Sequence, residues 1–201
     1  MNAPFPEFET ERFRLCRIMP ADQPSVFAGL SHPEVIPFYG VRYETLEATA
    51  AQMDFYERIW QEGSGGWWKI VRRADDAFAG AIGFNHYQPA HRKAEIGYWL
   101  LPPFWKQGIL PEVAPVLLRY LRYERNIHRI EALVEAGNDA SGRVLERLGF
   151  TCEGLLRDWE IKEGRAISFR CWSLLATDNA LFWGHEDRHH QRSEPEPARQ
   201  A

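Results

Sequence analysis

Cysteine and long apolar runs are both scarce in this sequence. Its 201 residues contain three cysteines, Cys16, Cys152 and Cys171, and their spacing is not typical of metal ligands. An odd and scattered set excludes a disulfide framework and predicts reduced thiols in a cytoplasmic protein. The most apolar stretch, 97–105, is too short to span a bilayer, and residues 1–13 lack the apolar core of a secretory signal. We therefore expect a soluble cytoplasmic protein without membrane contacts.

An excess of positive charge is also absent, as are the glycine-rich nucleotide-binding motifs. Lysine and arginine number 24 against 28 aspartates and glutamates, which gives a net charge of -4 and an isoelectric point near 6.0. This balance argues against a general nucleic-acid binder. Neither GxxxxGK[ST] nor GxGxxG occurs, so the fingerprints of P-loop and dinucleotide-binding proteins are missing.

The composition that is present is that of a folded domain. Hydrophobic residues make up 45% of the chain and charged residues 26%, which is ordinary for a globular protein of one domain. After Trp183 the sequence becomes almost entirely polar, so it cannot offset the entropy of ordering. We predict one domain over 8–183 and a mobile polar tail over 184–201. The histidines of that tail are expected to be solvated, and no metal site is predicted.

Hydrophobic periodicity predicts the order of strands and helices. Apolar residues at every second position predict strands at about 12–17, 67–73, 77–87, 93–101, 128–136, 151–161 and 167–176. Spacings of three and four predict a short helix after Asp22 and helices at about 45–62, 111–124 and 139–148. Asp22 and Thr45 are expected as N-caps, and Pro111 as the first residue of its helix. The order β-α-α-β-β-β-α-β-α-β-β predicts an α+β (mixed α/β) fold with parallel strands near the end.

The segment 105–112, between a strand and a helix, is the first candidate for chemistry. A helix N-terminus exposes N–H groups without partners and about half a positive charge. Gly108 would let an anion approach the backbone closely, and Lys106 adds a full positive charge. The same pattern of strand, glycine and helix also serves a simple chain reversal, so both interpretations stand at this point.

The segment 138–149 is the second candidate. Asn138 is a suitable N-cap for the helix predicted after it, and Gly149 is a suitable C-terminal stop. A capped amphipathic helix accounts for these residues by itself. Their significance lies in their combination with 105–112, which precedes them with one strand between.

Together the two segments resemble the GCN5-related N-acetyltransferase (GNAT) superfamily, and within it the branch of ribosomal-protein N-terminal acetyltransferases, the Rim type. The similarity extends over residues 8–178. It includes ERFRLCRIMPAD at 11–22, PFYG at 37–40, AEIGYWL at 94–100, WKQGILPE at 105–112 and, most specific, NDASGRVLERLGFTCEG at 138–154. The resemblance implies the GNAT fold, with a central twisted and mostly antiparallel sheet, splayed parallel fourth and fifth strands, and flanking helices. It also implies an acetyl-coenzyme A-dependent N-acetyltransferase that needs no metal.

The resemblance further implies how acetyl-coenzyme A is held. In the family, backbone amides of the loop before the third helix bind the diphosphate, and the pantetheine inserts between the splayed strands. Of the family pattern Q/R-x-x-G-x-G/A only Gly108 is kept, and Pro115 is expected to distort the helix. The binding residues implied are Tyr98, Leu100, Lys106, Gln107, Gly108, Ile109, Leu110, Val134, Asn138 and Arg143. A solvated helix face accounts equally well for Arg143.

Two residues are expected to carry the proton transfers. Glu95, at the start of the fourth predicted strand, is the predicted general base for the attacking amine, and an ion pair with Lys93 or Arg92 is the structural alternative. Many family members protonate the leaving thiolate with a tyrosine. Leu145 stands at that position here, so the resemblance implies Ser141 in this role. A hydroxyl that satisfies backbone groups at the helix end is the alternative for Ser141.

Aromatic side chains are expected to select the acceptor, which is a protein N-terminus or a small amine. The candidates are Phe38, Tyr39, Tyr56, Trp67, Trp68 and Tyr87. We expect only two or three of them in the site, because a buried aromatic residue most often belongs to the core. A non-catalytic acyl-coenzyme A sensor with the same fold is the alternative function, and a homodimer is compatible with the sequence.

Overall fold

The computed structural model describes residues 4–178, which form eight strands and four α-helices. The strands are β1 (Phe8–Glu9), β2 (Phe13–Arg17), β3 (Gly66–Arg72), β4 (Phe78–Gln88), β5 (Lys93–Leu100), β6 (Arg129–Glu135), β7 (Thr151–Lys162) and β8 (Arg165–Leu175). The helices are α1 (Gln23–Leu30), α2 (Ala50–Gln61), α3 (Ile109–Tyr123) and α4 (Asp139–Arg147). The predicted boundary at 183 and the predicted tail at 184–201 lie outside the described residues.

All eight strands belong to one sheet in the order β1-β2-β3-β4-β5-β6-β8-β7. Neighbours pair antiparallel except β5 and β6, which pair parallel because α3 carries the chain back between them. The predicted mixed fold with one parallel pair is therefore confirmed.

The parallel pair opens after a few residues. Registered partners join β5 to β6 only at Lys93–Arg129, Ala94–Ile130 and Glu95–Glu131, although β5 runs on to Leu100 and β6 to Glu135. Over the same length β5 stays paired with β4, and β6 stays paired with β8. The two strands therefore diverge and leave a crevice inside the sheet.

Apolar residues cover both faces of the sheet. One face packs against α3 and α4, where Val113, Leu117 and Leu145 are almost completely buried. The other packs against α1 and α2 through residues such as Leu30 and Ile59. Each side chain of this size contributes about 1.5–3 kcal/mol on burial, so the helices are fixed against the crevice from both sides.

Two predicted helix starts are wrong. Helix α2 begins at Ala50, because the hydroxyl of Thr45 accepts from the backbone N–H of Ala48 (3.1 Å) and forms a separate turn before it. Helix α3 begins at Ile109, ahead of Pro111, and continues as a helix through Pro115. The missing N–H of Pro115 leaves a single carbonyl without its helical partner, which the helix tolerates.

Asp22 is the N-cap residue of α1, as predicted, but its side chain does not cap the helix. Its carboxylate binds Lys69 Nζ (2.8 Å) and accepts from the backbone N–H of Met19 (2.7 Å), and it makes no cap bond to α1. The short strand β1 was not predicted, since two residues are too few to show a period. Among the helices within 4–178, none is long and apolar enough to cross a membrane.

Candidate active site

The β5 wall of the crevice presents open backbone groups. The N–H of Leu101 donates to the carbonyl of Ala79 (2.9 Å), on the β4 side. Backbone groups alternate in direction along a strand, so those of Tyr98 and Leu100 point away from β4, toward β6. The indole N–H of Trp105 donates to the carbonyl of Leu100 (2.8 Å) and holds this end of the strand. The amides of Tyr98 and Leu100 thus face the crevice, as expected for pantetheine contacts.

The β6 wall corrects one predicted contact. The N–H of Ala136 donates to the carbonyl of Ser168 on β8 (2.7 Å), and the register pairs Val134 with Arg170. By the same alternation, the backbone groups of Val134 belong to the β8 side and cannot face the crevice. The neighbouring Leu133 and Glu135 do so instead. The side chain of Val134 is buried in the core behind the wall.

The start of α3 is the predicted anion site, and its first backbone N–H groups have no helical partner. Gly108 has φ +70° in the left-handed region, which explains a glycine at the N-cap, and Lys106 has φ 60°. The N–H groups of Gly108, Ile109 and Leu110 lie at the positive end of a 15-residue helix and have no intrahelical acceptor. The side chains of Ile109 and Leu110 point into the core. The bulk of Leu110 is therefore directed away from this site.

An arginine that the sequence analysis missed fixes the loop before α3. The guanidinium of Arg12 donates to the carbonyl of Gln107 (3.1 Å) and to the carboxylate of Glu112 (2.6 Å). Burial tends to raise the pKa of Glu112, but hydrogen bonds from Thr10 and Arg12 outweigh it and lower that pKa. The side chain of Gln107 folds back onto the carbonyl of Pro103 (2.6 Å), so only its backbone remains for a ligand.

Helix α4 begins beside the open end of β6. The side chain of Asn138 accepts from the backbone N–H of Ser141 (3.2 Å), which makes Asn138 the N-cap. The family-derived contact of Asn138 with the cofactor stays a prediction. Arg143 is exposed on the same helix, and its phosphate contact also stays a prediction.

Two of the predicted residues meet across the crevice. The hydroxyl oxygens of Tyr98 on β5 and Ser141 on α4 lie 2.8 Å apart. Burial raises the pKa of Tyr98 to about 12, and the hydrogen bond with Ser141 opposes that rise only in part. The hydroxyl of Ser141 is thus held by a side chain from the other wall, whereas Leu145 on α4 is fully buried in the core.

Glu95 lies where the paired part of β5 ends. Its side chain is 29% exposed, and its carboxylate lies 3.3 Å from Nδ1 of His86. The alternative ion pairs are not formed, since Lys93 contacts Glu131 and Arg92 donates to Asn126. Burial raises the pKa of Glu95.

The charges around Glu95 act on that pKa in opposite directions. His86 lowers it through a hydrogen bond and its charge, while the negative charges of Glu131 and Glu160 add to the rise. The net rise makes Glu95 a stronger proton acceptor than an exposed glutamate.

The aromatic candidates divide between the two faces of the sheet. Trp67 packs over Gly97, two residues from Glu95, and its indole N–H donates to Asn85 (2.7 Å). Phe38 is exposed beside Gly137 at the end of β6. Tyr39 packs against the cluster on this face and Tyr56 is buried within it, and burial raises the pKa of Tyr39.

Trp68 and Tyr87 are wrongly predicted acceptor residues. Both lie on the opposite face of the sheet. The indole N–H of Trp68 donates to the carbonyl of Pro6 (2.6 Å), and the hydroxyl of Tyr87 donates to the carbonyl of Arg125 (3.1 Å). Their hydrogen bonds fix the chain ahead of β1 and the end of α3, so these rings stabilise the core.

A contact between distant segments closes this end of the molecule. Lys162, at the end of β7, donates to the carbonyl of Pro37 and lies 3.3 Å from the carboxylate of Glu135. Arg42 and Glu163 form an ion pair of 2.6 Å next to it. No sequence pattern marked these contacts, because Lys162 and Pro37, like Arg42 and Glu163, are more than a hundred positions apart.

Comparison with known proteins agrees with this geometry. Residues 12–151 match the family described as acetyltransferase (GNAT) domain. The chain is 34% identical over 172 residues to the N-acetyltransferase YoaA of Bacillus subtilis, covering 85% of this chain and 97% of that protein. It is 33% identical over 86 residues to the ribosomal-protein-serine acetyltransferase of Escherichia coli, covering 43% and 48%.

A solved structure shares the fold. RimL, a ribosomal L7/L12 alpha-N-protein acetyltransferase in complex with coenzyme A, superposes with a TM-score of 0.75 at 22% identity, over 83% of this chain and 95% of that chain. With the splayed parallel strands and the open helix start on one crevice, these matches identify the chain as an acetyltransferase of the GNAT superfamily, whose relatives include the Rim-type ribosomal-protein acetyltransferases.

Proposed function

We propose that this enzyme transfers the acetyl group of acetyl-coenzyme A to a primary amine, with the α-amine of a protein N-terminus as the preferred acceptor. The donor supplies a thioester, and the amine attacks its carbonyl carbon directly. A C–N bond forms, the C–S bond breaks and the sulfur keeps the electron pair. The observation that carries the proposal is the position of Glu95 as the last residue of β5 that pairs with β6, where the crevice opens.

The donor fits the crevice through backbone groups. The open N–H groups of Gly108, Ile109 and Leu110 suit a diphosphate, because they combine donors with the positive end of α3. Pro111 has no N–H to contribute, so these three are the helical donors on which binding depends. The free N–H groups of Tyr98 and Leu100, which point away from β4, suit the pantetheine.

Glu95 takes the proton that the amine loses on attack. A carboxylate of ordinary pKa is a weak base toward an amine, and the raised pKa of Glu95 reduces this mismatch. The negative charge of Glu160, which contributes to the rise of that pKa, also favours the approach of a cation, which is the form in which an amine arrives. Glu95 is therefore placed to deprotonate an acceptor that arrives as a cation.

The energetics of deprotonation favour an α-amine. Its pKa is near 7.7–8.0, whereas that of a lysine side chain is near 10.4, so the lysine costs about 3 kcal/mol more to neutralise at pH 7. We assign acceptor contact to two aromatic residues. Trp67 packs over Gly97, on the face of the sheet that carries the Glu95 side chain, and Phe38 is exposed beside Gly137.

A second candidate function follows from Leu145. Its fully buried side chain stands where many family members carry the tyrosine acid, which would suit a protein that binds acyl-coenzyme A without turnover. The raised pKa of Glu95 favours the catalytic function, because a binding module has no use for a base on the acceptor face.

An acceptor screen tests the proposal. Release of free thiol from acetyl-coenzyme A is measured with peptides that carry a free N-terminus, and with the same peptides N-acetylated but containing lysine. Polyamines, amino acids and aminoglycosides complete the panel. Preference for free N-termini supports the proposal. Preference for polyamines would show that the acceptor is a small amine and not a protein N-terminus. Tight binding of acetyl-coenzyme A without release on any amine supports the sensor instead.

A further inference from the structure

We infer that Tyr98 is a positioning residue for the leaving thiolate: its hydroxyl donates to the Oγ of Ser141 and so directs the hydrogen of Ser141 into the crevice. The inference rests on the proposed acetyl transfer and deepens it. Its basis is the 2.8 Å contact between a hydroxyl of the β5 wall and a hydroxyl of α4, the helix that follows the β6 wall.

Both partners of this contact are fixed by their surroundings. The ring of Tyr98 packs against the main core, so its hydroxyl is held in one place. The backbone N–H of Ser141 is bound by the side chain of Asn138, which fixes the first turn of α4. The cap uses the backbone of Ser141 and leaves its side-chain hydroxyl for the contact with Tyr98.

The direction of the bond follows from the relative acidity of the two hydroxyls, since the other acceptor near the Tyr98 hydroxyl, the carbonyl of Ser141, is farther away at 3.4 Å. A serine hydroxyl donates one hydrogen bond and accepts two. If Tyr98 donates, the single hydrogen of Ser141 is left for another acceptor. A phenol is more acidic than an aliphatic alcohol and is the better donor of the two. The raised pKa of Tyr98 keeps this donor protonated across the physiological range.

The reaction needs such a directed hydrogen because Leu145 offers none. When the C–S bond breaks, the sulfur keeps the electron pair and accepts the hydrogen bond of Ser141. The proton of the amine goes to Glu95 and from there to solvent. The thiolate takes a proton from solvent on release, so neither Tyr98 nor Ser141 changes its protonation over the cycle. A preset hydroxyl stabilises the developing charge without reorganisation.

Kinetics of Tyr98→Phe test the inference first. One neutral hydrogen bond corresponds to a change of about 3- to 10-fold, so kcat should fall by that factor while KM for acetyl-coenzyme A stays within about twofold. In a Ser141→Ala background the same substitution should have no further effect, because Tyr98 acts only through Ser141. Tyr120→Phe removes a hydroxyl from the same core cluster and should leave kcat and KM unchanged.

A spectroscopic readout tests the bond without turnover. With 3-fluorotyrosine at position 98, the ¹⁹F resonance should shift on Ser141→Ala, both in the free protein and with coenzyme A bound. If the ¹⁹F resonance of the coenzyme A complex does not shift on Ser141→Ala, the inference is overturned. So would a Tyr98→Phe variant with unchanged kcat and lower KM, since the contact would then only close the empty crevice.

The two proposals fail in different ways. If the wild type turns over no amine, the proposed function is lost, and the ¹⁹F shift in the coenzyme A complex alone decides whether Tyr98 holds Ser141. If the wild type is active and Tyr98→Phe is equal to it in kcat, the proposed function stands and this inference falls.

Discussion

The two halves of β5 differ in their neighbours. From Lys93 to Glu95 the strand has partners on both sides, in β4 and β6, whereas from Ile96 to Leu100 its registered partners are on β4 alone. Strand β6 is paired with β8 along its whole length. Each wall of the crevice is therefore supported by its own outer neighbour. The gap in the sheet weakens neither strand, and the backbone groups it leaves open are available to a ligand.

The proposed base lies at the boundary between the halves. Glu95 is the last residue of β5 that pairs with β6, and its neighbours toward the open end include the backbone of Tyr98. A side chain at this point is held by the half of β5 that pairs on both sides, and it lies next to the open half. It therefore combines a fixed position with access to a substrate.

The largest expected effect comes from Glu95→Gln. Loss of a general base lowers turnover by about 100-fold or more at pH 7, while the affinity for acetyl-coenzyme A stays the same because the paired half is preserved. Steady-state kinetics and calorimetric titration measure the two quantities. Equal turnover would remove Glu95 from the mechanism, and an equal loss of affinity would show that the two halves are not independent.

Gly108→Ala tests the anion site at the open end. The left-handed conformation of Gly108 costs a residue with a side chain about 1–2 kcal/mol. If the loop of the variant relaxes to avoid this cost, its N–H groups leave their binding positions, and KM for acetyl-coenzyme A rises about 5- to 30-fold. Gly63→Ala is the matched control, since Gly63 has the same φ of +70° at the end of α2 with open space around it. It should lower the melting temperature and leave KM alone. A similar KM for both variants would contradict the assignment.

Amide exchange tests the alternation along the walls. In the free protein the N–H of Leu133 should exchange faster than that of Val134, because only Val134 is bonded to β8. Coenzyme A should slow exchange at Tyr98 and Leu100 and leave Val134 unchanged. If coenzyme A slows exchange at the N–H of Val134 and not at that of Leu133, then the backbone of β6 has the opposite orientation to the one inferred from its register with β8.

The smallest expected effect is that of His86→Ala on the pH profile. Glu95 accepts a proton only when ionised, so kcat/KM falls as the pH drops through its raised pKa. His86 lowers that pKa, so its removal should move the fall to higher pH. The shift is expected to be small, because the His86 side chain is 74% exposed and its charge is screened by solvent. A shift to lower pH would contradict the contact.

The sequence predicted the fold better than the partners in the site. Alternating residues in 93–101 and 128–136 place β5 and β6 correctly, and Gly108 marks the left-handed start of α3. Neighbours such as Trp67 and Trp68 must point to opposite faces of a strand, so their separation could have been foreseen from the period of two.

Other features depend on register and tertiary contacts. The backbone N–H and C=O groups of Val134 point away from the crevice because they pair with β8. No local sequence pattern reveals this pairing. His86 reaches Glu95 because the pairing of β4 with β5 is irregular between Asn85 and Gln88, where His86 adopts φ 53°. The contact of Tyr98 with Ser141 joins residues 43 positions apart.

The clasp that Arg12 forms with Gln107 and Glu112 has a consequence for biosynthesis. Arg12 leaves the ribosome 100 residues before Glu112, so the loop before α3 cannot acquire its final shape until α3 has been made. Until then, the contact between Arg12 and Glu112 cannot form. The clasp can form only after α3 has been synthesised, and a variant of Arg12 is expected to leave the loop before α3 without this support.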